Sequence, residues 1–122
     1  MKIYVDEEFA EQCKKTIGEY SEIYLSRIGV SETLINLRKR LSVQEFAMAA
    51  RFFEIDIATF NIIDFTEQIS YAAVEISQAT NLATLDAIHL ASALKVINAG
   101  IDFLTYDTVQ RKAAKTLGLK VL

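Results

Sequence analysis

Apolar positions switch repeatedly between helical and alternating spacing along this chain, and each switch marks an element. Phe9, Cys13, Ile17 and Tyr20 recur at helical intervals, which predicts a helix from Asp6 to about Glu19, with Gly18 and Tyr20-Ser21 as its stop. Glu22-Ile23-Tyr24-Leu25-Ser26 is short and rich in β-favouring residues, a strand. Helical spacing returns through Val30, Leu34, Leu37 and Leu41, with Glu32 near the start. Ser42-Val43-Gln44-Glu45 has the form of a capping box and opens a helix with Val43, Phe46, Ala50, Phe53 and Ile57 on one face. Met48, Phe52 and Ile55 form a second apolar stripe on another side of that helix. A helix between core and water has no use for two stripes, so the second is either a protein interface or a sign of burial on two sides.

The second half alternates strand and helix. Asn61 to Phe65 is a strand candidate, and Thr66 can cap a helix running to about Thr80 through Ile69, Ala73 and Ile76. Thr84 is read as the cap of a helix carrying Asp86, Ile88, Ala91 and Leu94, ending at Asn98-Ala99-Gly100 where glycine can turn left-handed. Ile101 to Tyr106 is the next strand, Asp107 stands at its carboxyl end, and a helix from Thr108 to Leu117 follows. Gly118 stops that helix before a last strand, Leu119 to Leu122. Strands joined through single helices or helix pairs imply crossover connections: an α/β fold with a mostly parallel sheet and helices on both faces. Ligands in such sheets sit beyond the carboxyl ends of the strands, where Asp107 is expected. Asp86 falls in a first helical turn, where free N–H groups and the dipole favour an ionised carboxylate.

Composition narrows the class. With 122 residues, 52% hydrophobic and 24% charged, four glycines and no proline, the chain fits one domain spanning 1–122 rather than a disordered or linker-rich segment. The one cysteine, Cys13, excludes an internal disulfide and falls on an apolar helical face, as a core residue would. The amino-terminal residues lack the apolar run of a signal peptide and no stretch is long enough to span a bilayer, so a cytoplasmic location and no membrane partner are expected. Thirteen basic against sixteen acidic residues give a net charge of −3, which argues against attraction of nucleic acid by the overall field. Any RNA contact has to be local.

Glu32, Asp86 and Asp107 stand out because each occupies a helix start or strand end rather than a solvent face. Hard cations such as Mg²⁺ prefer such oxygen ligands. Spacing alone leaves the alternative open that Asp86 is a helix-start residue and Asp107 a turn or N-cap residue.

Thr84-Leu85-Asp86-Ala87-Ile88-His89-Leu90-Ala91-Ser92-Ala93-Leu94 resembles the signature helix of PIN domains. Phe103-Leu104-Thr105-Tyr106-Asp107 resembles the strand that follows it, residues 113–122 resemble the closing helix and strand, and residues 26–32 resemble the segment supplying an early acid. The resemblance implies a metal-dependent endoribonuclease of the toxin–antitoxin type. In such an enzyme carboxylates hold Mg²⁺ or Mn²⁺, and a metal-activated water hydrolyses RNA phosphodiesters. Glu32, Asp86 and Asp107 match three of the family's acidic positions, as metal ligands and catalytic groups. It also implies an antitoxin partner, and the apolar stripe with Met48 and Phe52 fits either that contact or a homodimer. The alternative is a degenerate PIN-like module acting only through protein–protein binding.

The family opens with a central strand ending in its first acid, followed by a short helix, and here two alignments compete. In one, Lys2 to Val5 is that strand, Asp6 is the acid and the short helix is missing. In the other, residues 2–8 match the end of the short helix and the strand with its acid is absent; the distance from Tyr4 to Glu32 favours this second alignment. Loss of a central strand would leave backbone groups that dimerisation or rearrangement must pair.

Other residues have ordinary readings beside functional ones. His89, one turn after Asp86, is read as packed and hydrogen-bonded within an apolar helix in preference to a ligand. Arg38-Lys39-Arg40 reads equally as an RNA contact or a solvated helix end, with Arg111, Lys112 and Lys115 better placed for phosphate. Tyr106 could stack on a base or simply pack. A phospho-receiver domain has similar length, but its paired early acids, central aspartate and late lysine have no match.

Overall fold

A computed structural model describes residues 2–5, 18–105 and 107–122, the first four by backbone alone. The predicted first helix, with Cys13, lies outside the described residues, as do Asp6 and Tyr106. The elements run β1 (Lys2–Val5), β2 (Glu22–Ser26), α1 (Arg27–Arg40), α2 (Val43–Ile57), β3 (Asn61–Ile63), α3 (Glu67–Thr80), α4 (Thr84–Lys95), a 3₁₀ turn (Ile97–Ala99), β4 (Ile101–Leu104), α5 (Thr108–Thr116) and β5 (Lys120–Val121).

The strands form one five-stranded sheet in the order β3-β2-β1-β4-β5, and every pairing is parallel. Residues 2–5 therefore correct the favoured alignment. β1 is the middle strand, with Tyr4 opposite Tyr24 on one side and Phe103 on the other. Its backbone finds partners on both edges, which meets the demand of buried N–H and C=O groups without a second chain.

Alternation along the strands divides the core between the two faces. Tyr24, Ile63, Ile101, Phe103 and Leu119 belong to a large cluster with Ile69, Ala73 and Ile76 of α3, Ile88, Leu90 and Ala91 of α4, and Ala113 and Ala114 of α5. Leu25 and Ile62 face the other way, with Val30 and Leu34 of α1 and Phe53 and Ile57 of α2. Helices cover both faces, as the strand–helix alternation predicts.

Local chemistry sets most boundaries as read. Ser42 and Glu45 form both halves of the capping box, Oγ accepting from Glu45 N at 3.2 Å and Oε1 from Ser42 N at 3.1 Å. Thr66 Oγ1 accepts from Ile69 N at 3.2 Å and caps α3. Thr84 does not cap α4: it is the first helical residue, and Ala83 caps in extended geometry with no side-chain bond. Gly100 and Gly118 take φ of +76° and +94°, turning the chain into β4 and β5.

The second stripe of α2 also differs from one of its two readings. Met48, Phe52 and Ile55 are 63%, 63% and 66% exposed, Phe53 is the helix's buried residue, and Val43, read on the core face, is itself 67% exposed at the start of the helix. Within this chain α2 is not buried on two sides.

Candidate active site

All strands point the same way, so their carboxyl ends share one edge, and three helix starts meet there. The first is that of α1. Ser26 ends β2 and caps α1, its Oγ accepting from Gly29 N at 2.9 Å. A Cβ on Gly29 would stand 2.7 Å from Leu25 Cδ1 and 3.3 Å from Ser26 Oγ, so any larger residue here would force the buried Leu25 side chain and the capping hydroxyl to shift. Glu32 follows in the second turn, half-buried, and one carboxylate oxygen, Oε1, meets His89 Nε2.

The second start is that of α4, a helix whose residues 87–93 are all buried. It carries Asp86, half-buried in its first turn, and His89 one turn later at 2% exposure. His89 Nδ1 lies 3.3 Å from Ser26 Oγ, so the imidazole bridges the end of β2 and the carboxylate of Glu32. The reading of His89 as packed and hydrogen-bonded describes this position, with the added fact that its partner is a candidate site acid.

The third start is that of α5. Asp107 is exposed and caps it, Oδ1 accepting from Gln110 N at 2.9 Å, which gives the ordinary N-cap reading of this residue a place in the structure. Gln110 is fully buried. Its Oε1 accepts from Thr105 Oγ1 at 2.7 Å and its Nε2 donates to the Asp86 carbonyl at 3.4 Å, while Thr105 Oγ1 accepts from Asp107 N at 3.1 Å. One amide thus joins the backbone that carries Asp86 to the turn that carries Asp107.

The structure accordingly links Asp86 with Asp107 through Gln110, and Glu32 with α4 through His89. Among the described residues no group of three His, Cys, Asp or Glu side chains is drawn close enough to hold a metal ion. The donor chemistry of the three carboxylates suits a hard cation, and Asp6, which follows the middle strand, lies outside the described residues. Gln110, Thr105 and Ser26 were not singled out from sequence. The signal for Gln110 was its place three residues after an N-cap aspartate, the capping-box offset, although its side chain reaches across to α4 rather than back to the cap.

Of the basic residues, Arg38, Lys39 and Arg40 sit exposed in the last turn of α1, where they complement the helix dipole. Arg111 is half-buried, and Lys112 and Lys115 are exposed on α5.

Solved structures share this fold. FitAcB from Neisseria gonorrhoeae superposes with a TM-score of 0.73 at 18% identity, covering 100% of this chain and 96% of that one. PAE2754 from Pyrobaculum aerophilum gives 0.72 at 18%, covering 99% and 89%, and a toxin–antitoxin complex from Klebsiella pneumoniae gives 0.67 at 20%, covering 87% of each chain. No curated protein matches by sequence. Among the described residues no helix is long and apolar enough to cross a membrane. The family model for the PIN domain matches residues 1–116, nearly the full chain, and with the all-parallel sheet and its three acid-bearing helix starts this establishes that the chain belongs to the PIN-domain family.

Proposed function

We propose that this chain is a metal-dependent endoribonuclease of the toxin–antitoxin type. The observation that carries the reading is that Glu32, Asp86 and Asp107 lie in the first two turns or at the cap of three helices cross-tied by His89 and Gln110 at the carboxyl edge of a PIN-domain sheet. Mg²⁺ or Mn²⁺ would draw on the oxygens of these carboxylates, which as they stand among the described residues do not form a three-ligand group, with Asp6 the nearest further acid in sequence to the middle strand. The chemistry such a cation supplies when bound is polarisation of a phosphate and a more acidic water. The protein's own part is to fix the acids: Gln110 sets the distance between the backbones of Asp86 and Asp107, and the Asp107 cap holds that carboxylate at the helix start. Lys112 and Lys115, exposed on the same helix as this cap, offer local positive charge for an RNA backbone in a protein that is acidic overall.

The test is cleavage of structured RNA by purified protein with Mn²⁺. Asp86→Asn should abolish it; cleavage that persists, or none from the unsubstituted chain, rejects the reading.

The toxin–antitoxin complex from Klebsiella pneumoniae among the structural neighbours supports an antitoxin partner, and the exposed Met48, Phe52 and Ile55 of α2 support a protein contact, either with that partner or in a homodimer. A second reading is a PIN-like module that only binds protein, and the exposed apolar residues of α2 favour it. An intact fold that takes up no Mn²⁺ would select it.

A further inference from the structure

We infer that His89 is the positioning residue for Glu32, holding its carboxylate in one orientation through a hydrogen-bond chain that begins at the backbone of α1. The inference rests on the nuclease reading for its consequence, but its geometry stands apart from it.

The direction of the chain follows from what each atom can donate. Ser26 Oγ accepts the Gly29 N–H at 2.9 Å, and the hydroxyl has one hydrogen of its own. His89 Nδ1, 3.3 Å away, is placed to accept that hydrogen. A neutral imidazole that accepts at Nδ1 carries its proton at Nε2, the nitrogen that faces Glu32 Oε1. The direction is fixed at the other end: a carboxylate can only accept, so the ring donates to Glu32 from Nε2–H, and in the neutral ring Nδ1 is left to accept from Ser26.

Burial makes the arrangement specific. His89 is 2% exposed on a helix buried from residue 87 to 93, and Ser26 is 1% exposed, so the ring has little room to turn away. Glu32 has a long flexible side chain and is half-buried, so without His89 its carboxylate would sample several rotamers. A ligand fixed by a hydrogen bond from a neighbouring group typically binds metal about 10–100-fold more tightly than the same ligand unsupported. The same contact ties α1 to α4, so the acid on one helix is set relative to Asp86 on the other.

His89 is the single histidine of the chain, so a long-range ¹H–¹⁵N spectrum of the folded protein contains one imidazole to assign. The ring should be protonated at Nε2, and Glu32→Ala should speed exchange of that proton with water. A ring protonated only at Nδ1, or an averaged solvent-like ring, overturns the assignment. Mn²⁺ titration then reads the consequence. His89→Leu should weaken Mn²⁺ binding about tenfold or more, His89→Gln, whose amide can still donate near the Nε2 position, should restore most of it, and His89→Leu should have no further effect in a Glu32→Ala background. An equal loss with and without Glu32, at matched thermal stability, would show that His89 acts only on the fold and would overturn the proposal. If the unsubstituted chain takes up no Mn²⁺, the nuclease reading fails, and the imidazole spectrum alone decides whether His89 holds Glu32.

Discussion

Two helices of similar apolar content lie in opposite environments. In α4 every residue from 87 to 93 is buried, among them two polar ones, His89 and Ser92. In α2 Phe53 is buried while Val43, Met48, Phe52 and Ile55 are largely exposed. The difference shows that apolar composition does not decide position. Each helix carries three alanines, so small residues do not decide it either; α4 belongs to the large core cluster with α3, α5 and the strands, whereas α2 joins the smaller cluster on the other face through Phe53 and Ile57.

The largest effect should come from the buried helix. Leu90→Ala removes a fully buried side chain of α4 and should lower unfolding free energy by about 2–5 kcal/mol, read from urea denaturation. A loss below about 1 kcal/mol would mean that α4 is no better anchored than α2. Gln110→Ala comes next, since it leaves the Thr105 hydroxyl and the Asp86 carbonyl without their amide partner; about 1–3 kcal/mol is expected by the same measurement.

At the edge of α2, Ser42→Ala should cost about 1 kcal/mol through loss of the cap. The capping box also makes this helix sensitive to acid. Hydrogen bonds to Ser42 hold the Glu45 carboxyl below its ordinary range, so its stabilisation is present above the ordinary glutamate pKa and disappears as pH falls through the lowered value. Denaturation profiles should show this acid dependence in the native chain and not in Glu45→Gln. The smallest effect belongs to the exposed stripe: Phe52→Glu should change the stability of the isolated chain by no more than about 0.5 kcal/mol. A large loss would show that α2 is covered in solution, as it would be in a homodimer.

Away from both helices, Tyr20 reports on the start of β4 through Asp102. Burial and its 3.0 Å hydrogen bond to Asp102 push the phenol to about 12, so its contribution is complete below pH 10.0 and is lost as pH rises toward 12. Absorbance titration of Tyr20→Phe should remove one late-ionising phenol.

Periodicity made the elements legible because apolar spacing and caps are local properties. Thr66 and the Ser42–Glu45 box act within a turn of themselves and appear where the sequence placed them, while Gly100 takes its left-handed turn after a 3₁₀ segment, α4 having ended at Lys95 rather than at Asn98-Ala99-Gly100. The Thr84 cap missed by one residue because extended backbone at Ala83 starts the helix without a side-chain bond. β1 escapes local rules for a different reason: over four residues spacing fits a strand and a helix exit alike, and only pairing with two distant strands settles it. In the candidate site, Glu32, Asp86 and Asp107 stood out as acids at element ends. Gln110 and Thr105 did not, because a neutral amide and a hydroxyl gain their role only from the long-range contact between α4 and α5.

The place of β1 has a kinetic consequence. β2 with β3, and β4 with β5, are two-strand units, each connected through its own helices, and β1 is the one strand that touches both. Its register sets Lys2 beside Glu22 but also beside Ile101, so joining the second unit closes a loop that contains most of the chain. Loop closure of that length sets a high contact order, and the entropic barrier to folding falls on this one pairing. Four residues thus govern when the halves of the molecule become one, and with them when the acids on either side first face each other.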